Sequence, residues 1–169
     1  MIRLVKPTAK YKKSFTTAMK EFHREDRKND TDIKKLEQDF AGFVKKMRNY
    51  EKGRNLPKGH VPSSYYWLLD NSEFIGETTI RHKLTKALLK EGGHIGYGIR
   101  PTKRKKGYGI KILALALQKA KKLGIRKVLV TCGDDNVGSW KIIEANGGVL
   151  QDKIRHKGKL VRRYWITIE

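Results

Sequence analysis

The sequence predicts an α/β fold: a central mixed, twisted sheet with helices on both faces, in the order β-α-α-β-β-β-α-β-α-β-β. Three observations lead there. Amphipathic helical stretches alternate with short apolar runs. Two turn signatures, Asp70-Asn71-Ser72 and His156-Lys157-Gly158, each separate two strand-like runs, as hairpins do. Between His94 and Gly133 a strand, a helix and a strand follow one another, a βαβ unit whose two strands should run parallel. At 169 residues the chain is expected to fold as a single domain, 1–169.

Taken in order, Ile2 to Val5 reads as a short first strand. Pro7-Thr8 opens a helix reaching about Glu25, and the charged stretch Glu25 to Asp32 reads as a loop. Asp32 caps a helix from Ile33 to Tyr50, with Ile33, Leu36, Phe40, Phe43, Val44 and Met47 on one stripe. Gly53, Pro57, Gly59 and Pro62 make Glu51 to Pro62 a loop. Ser64 to Leu69 and Glu73 to Arg81 form the first hairpin, and Thr85 to Lys90 a helical turn. Then come the strand His94 to Ile99, the helix Ile110 to Leu123 stopped by Gly124, and the buried strand Lys127 to Gly133. A helix begins at Asn136, and Val149 to Arg155 with Leu160 to Ile168 form the last hairpin.

Composition bounds the setting. Hydrophobic residues make up 38% of the chain, low but globular, with lysine as the main diluent. The one cysteine, Cys132, cannot form an internal disulfide, so a reducing, cytoplasmic location is expected. No apolar leader opens the sequence, and Ile112 to Leu117, the longest apolar run, is far too short to span a membrane. The net charge is +22, and Gly92 to Gly133 holds eleven Lys/Arg with no Asp/Glu. Such a field draws acidic or polyanionic partners, although a lysine-rich solvated surface accounts for it as well. Oligomeric state is not readable; a dimer is allowed.

The most informative stretch is Arg104-Lys105-Lys106-Gly107-Tyr108-Gly109, between a strand closed by Arg100-Pro101 and a helix start. The first N–H groups of a helix lack internal partners, and the helix dipole adds positive charge there. Glycine allows close approach to the backbone, and the basic side chains add full charges. The spacing fits neither a Walker loop nor a dinucleotide fingerprint. It matches [Arg/Gln]-x-x-Gly-x-[Gly/Ala], which resembles the acyl-CoA pyrophosphate loop of the GNAT superfamily of N-acetyltransferases. Downstream, Asn136, Ser139 and Gly147 are similar to that family's second signature. Upstream, Ile95-Gly96-Tyr97-Gly98-Ile99-Arg100-Pro101 looks like its fourth strand, which bulges beside the thioester. The resemblance covers about residues 60 to 169.

The resemblance implies direct acetyl transfer from acetyl-CoA to an amine acceptor, with no metal. Scattered histidines without ligand spacing agree with the latter. It places the cofactor on Ile99, Arg100, Arg104, Lys105, Lys106, Gly107, Tyr108, Gly109, Asn136 and Ser139, and an oxyanion donor on the backbone near Gly98 to Arg100. Gly96 and Gly98 would permit a bulge there. His94 is the first candidate base, since histidine titrates near neutrality, and Glu77 the second; a structural His94 bonding the backbone is the competing reading. The family's usual general acid, a tyrosine, falls here on Ile143, which carries no proton. Cys132 reads as core rather than nucleophile. Tyr66, Trp67, Arg81 and His82 are the candidate acceptor-site residues, with the Arg155 to Arg163 hairpin, and the arginines suggest a carboxylate-bearing acceptor. The alternative to an enzyme is a basic module of the same fold resting on RNA or a ribosome.

Overall fold

The computed structural model describes residues 1–169. Seven strands form two sheets. In the first, β1 (Ile2–Val5), β2 (Ser63–Asp70), β3 (Glu73–Arg81) and β4 (Ile95–Ile99) lie side by side in that order. In the second, β7 (Lys159–Thr167) lies between β5 (Lys127–Gly133) and β6 (Val149–His156). Every ladder is antiparallel. The expected elements are present and helices flank the strands on both faces, but the expected parallel pairing of β4 with β5 does not form. Those strands are joined by one backbone bond, from His94 N–H to Leu129 O at 2.8 Å, and share no ladder.

Strand alternation divides the first sheet into two unlike faces. Trp67, Leu69 and Phe74 meet Phe15, Met19 and Phe22 of α1 (Lys12–Arg24), Leu36 of α2 (Ile33–Gln38) and Phe40, Val44 and Met47 of α3 (Phe40–Glu51). On the opposite face Tyr66, Ile80 and Ile95 meet Leu113, Ala116, Leu117 and Ala120 of α5 (Tyr108–Lys122) and Ile143 of α6 (Val137–Ala145). α4 (Lys86–Lys90) is a short turn in the β3–β4 connection, capped by Thr85.

The single helix expected from Ile33 to Tyr50 is two. Asp39 ends α2 at φ −138° and caps α3 by accepting the Gly42 N–H at 2.9 Å. A Cβ on Gly42 would collide with that carboxylate, so the residue that permits the cap lies inside the apolar stripe. The expected bulge in β4 is also absent. Its register against β3 is regular from Ile99 to Ile95, and the shift falls instead opposite Leu68/Leu69 in β2. No helix is long and apolar enough to cross a membrane.

Candidate active site

The anion cradle is built by the chain's entry into α5. Lys105 takes φ 59° and Gly107 φ 79°, which turns the backbone into the helix. The N–H groups of Lys105, Lys106, Gly107, Tyr108, Gly109 and Ile110 donate to no atom of the protein; the first helical bond runs from Lys111 N–H to Gly107 O at 3.2 Å. Six adjacent unsatisfied donors at a helix N-terminus are a site for phosphate oxygens. The Lys105 and Lys106 side chains are exposed and form no ion pair, so their charge is uncommitted.

Other expected cofactor residues have different work. A Cβ on Gly109 would strike Ile142 Cδ1, so this glycine lets α5 and α6 approach rather than making room for phosphate. The Arg100 guanidinium is buried and bonded to Glu21 (2.6 and 2.9 Å) and Glu73, so only its backbone remains near the site. Arg104 turns away from the cradle: Nε donates to Ile99 O at 3.2 Å and Nη1 pairs with Glu25 at 2.7 Å. The Tyr108 hydroxyl donates to Asp70 at 2.8 Å, leaving its N–H as its contribution.

Beyond the cradle, β4 and β5 separate. Arg81 N–H donates to His94 O (2.7 Å) and Arg100 N–H to Ile75 O (2.8 Å), so the even-numbered residues of β4 bond to β3. Alternation then directs the N–H groups of Tyr97 and Ile99 toward β5, which does not pair with them. These two donors, rather than a bulge, are the ones a carbonyl entering the split would meet.

On the α5–α6 side, the Tyr97 hydroxyl bridges the two sheets' helical cover. It lies 2.9 Å from Ser139 Oγ and 3.3 Å from Ser139 O. Burial, opposed by the serine bond, pushes its pKa up to about 12, so it remains a proton carrier through the ordinary pH range. Burial likewise pushes the nearby Cys132 thiol up, which leaves it protonated, as expected of a core cysteine. Asn136 Oδ1 accepts the Ser139 N–H at 3.1 Å and so caps α6. Ile143 is fully buried in the core.

The α1–α3 face of the split is open. Glu77 pairs across the ladder with Gly98, and Thr79 with Gly96, so both glycines share this face with Glu77, Arg81 and Tyr65. A Cβ at Gly98 would touch nothing within 4 Å. Lys28, from the loop after α1, forms an ion pair with Glu77. Tyr65 stands beside Tyr50, ring centroids 6.4 Å apart.

His94 is tied into the fold. It is buried, and its Nδ1 accepts the Leu129 N–H at 3.0 Å. The neutral ring's one acceptor nitrogen is therefore occupied and its other nitrogen carries hydrogen. Burial and then Arg81 lower its pKa, which favours that neutral form. Tyr66 lies on the opposite face, buried, with Lys6 Nζ 4.2 Å from its ring centroid. Trp67 is core, stacked on Phe15 at 4.6 Å. His82 bonds Ser64 Oγ at 2.8 Å beyond the end of β3, outside the groove. Of the four expected acceptor residues only Arg81 shares the Gly96–Gly98 face without being buried in the core. Arg162 and Arg163 of the last hairpin are tied to Asp134 and Asp152. Tyr65 and Tyr97 carry no motif of their own in the sequence; their places depend on the register of β2 and β4 against β3. No group of three or more His, Cys, Asp or Glu is placed to hold a metal ion.

A family model for the acetyltransferase (GNAT) domain matches residues 11–149, most of the chain, which therefore belongs to that family. No curated protein matches it in sequence. Among solved structures, the fold is similar to the acetyl transferase of Salmonella typhimurium that modifies the N-terminal serine of ribosomal protein L7/L12 (TM-score 0.71, 14% identity, 99% of this chain and 95% of that one). It is similar to Mycobacterium smegmatis RimJ in complex with CoA-disulfide (0.73, 15%, 98% and 81%). It is also similar to the microcin C7 self-immunity acetyltransferase MccE in complex with acetyl-CoA and AMP (0.71, 14%, 99% and 92%).

Proposed function

We propose that this acetyl-CoA-dependent N-acetyltransferase acts on a primary amine that enters from the α1–α3 face, with Glu77 as the base. The observation that carries the reading is the run of six free N–H groups from Lys105 to Ile110 beside the unpaired edge of β4. The cradle holds the pyrophosphate of the cofactor, whose thioester supplies the acetyl group. The N–H groups of Tyr97 and Ile99 bind the carbonyl oxygen and stabilise the charge that develops on it. The amine approaches over Gly98, where no side chain obstructs it, and Glu77 on the paired strand takes its proton. The Tyr97–Ser139 pair, on the other side of the split, returns a proton to the departing thiolate, the role that Ile143 cannot fill.

Thermal stabilisation by acetyl-CoA, compared with equal 3′,5′-ADP at about 0.2 M salt to suppress non-specific anion binding, tests the reading. A ligand at about 100 times its Kd adds roughly 2.7 kcal/mol. A larger shift with acetyl-CoA than with the fragment is expected. Equal shifts that vanish with salt would instead favour a basic module on RNA.

A further inference from the structure

Arg81 stands out among the cations of the groove because no carboxylate answers it. Its Nη1 donates to Gly92 O at 3.0 Å and Gly93 O at 3.2 Å, which fixes the guanidinium in place. Its Nε and Nη2 have no protein partner, and neither is sealed from solvent. The remainder of the side chain is half-buried, and burial disfavours its charge, so an anion placed against the free edge would be worth more there than on an exposed lysine. Lys28, the other cation of this face, is already paired with Glu77.

The position of that edge relative to the chemistry sets a length. The guanidinium lies beside Gly96, both Nη atoms 3.7 Å from where a Cβ would stand. Gly98 and its partner Glu77 are two residues along β4, about 7 Å away at the rise of a strand. Tyr65, opposite Thr79, walls the interval. The floor between the two points is glycine and threonine, so a narrow molecule can lie along it.

Resting on the acetyl-transfer reading above, we propose that Arg81 is the carboxylate-binding residue of the acceptor groove. The acceptor is then a small primary amine bearing a carboxylate about 7 Å from its nitrogen, the span of a dipeptide of small residues. A single guanidinium edge matches one carboxylate in a bidentate pair, and the amine then falls over Gly98 within reach of Glu77.

Glycylglycine and glycylglycinamide differ only in that charge, and their kcat/KM ratio is the readout. The wild type is expected to prefer the acid by about 10–100-fold, the worth of a charge-assisted pair. Arg81→Gln is expected to bring the ratio near one. Gly96→Val gives a second route: its Cβ falls 3.7 Å from both Nη atoms and crowds the guanidinium from the groove floor, so it decides the matter if the arginine variant does not fold. A wild-type ratio near one, or a preference that survives in both variants, overturns the proposal. So does an enzyme that is stabilised by acetyl-CoA yet neither acetylates nor binds either dipeptide. Failure of acetyl-CoA itself to stabilise the protein sinks the acetyl-transfer reading instead, by a separate measurement.

Discussion

The cofactor side and the acceptor side of the split are built in opposite ways. The cradle is one continuous segment, Lys105 to Ile110, acting through its backbone. The proposed acceptor groove takes Tyr65 from β2, Glu77 and Arg81 from β3, Gly96 and Gly98 from β4, and Lys28 from a loop 49 residues before its partner carboxylate. A site made of adjacent backbone groups survives many side-chain changes. A site made of single side chains from several strands can be redirected by one substitution, so the first side fixes what the fold carries and the second what it acts on.

Changes on the two sides should therefore separate cleanly. The largest effect is expected from Glu77→Gln, which removes the base and should lower kcat by about 100-fold or more while acetyl-CoA affinity stays the same. Steady-state kinetics with calorimetric titration checks both; an unchanged kcat would remove Glu77 from the mechanism. Gly107→Trp should do the reverse, weakening acetyl-CoA about 100-fold (about 2.7 kcal/mol) through bulk over the cradle and a strained positive φ. Retained affinity would move the phosphate site elsewhere.

His94→Ala sharpens the contrast by touching neither side's chemistry. It leaves the Leu129 N–H without its partner and should cost about 1–3 kcal/mol in denaturant unfolding, with the shape of the pH–rate profile unchanged. Because the folded state lowers the histidine's pKa, its neutral form contributes stability above the ordinary value, about 6.5. That contribution is lost as pH falls through the folded pKa, and the variant should lack this part of the acid limb.

The smallest effect on stability near neutrality belongs to Tyr97→Phe, about 1 kcal/mol for the lost bond to Ser139. Its signature is alkaline. With the phenol raised from 10 to about 12, the folded state keeps a proton that the unfolded chain releases. The wild type then loses about 2–3 kcal/mol between those pH values. Urea melts across that range should show a shallower loss in the variant.

The same contrast explains what could be read from residues alone. The cradle was legible because strand, glycine turn and helix start are local in sequence. Its side chains were less so: Arg100 and Arg104 are basic at the right spacing, yet Glu21 of α1 and Glu25 at its C-terminal end, each 79 residues away, claim them. In the groove, Tyr66 and Trp67 were chosen and Tyr65 passed over because the face of a strand depends on the register of its neighbours. Nothing in residues 63–70 says which face α5 covers. His94 carries a residue type suited to catalysis, and its bond to Leu129 depends on a strand placed 35 residues later. The open edge of β4 was hidden for a related reason, since a βαβ order implies parallel neighbours and gives no sign that they part.

That parting has a mechanical consequence. A four-stranded and a three-stranded sheet share the core beneath α5, yet edge to edge β4 and β5 are held by His94 on Leu129 and by Gly92 on Thr131, and diverge from there. Each sheet presents an unfinished edge to the interior. A slender molecule carrying amide groups, laid between those edges, completes both as a strand would. Occupancy then belongs to the architecture as much as to the reaction, closing along their edges two sheets that the polypeptide joins through the core beneath them. Amide hydrogens of Tyr97 and Ile99 should exchange with solvent far more slowly once the gap is filled.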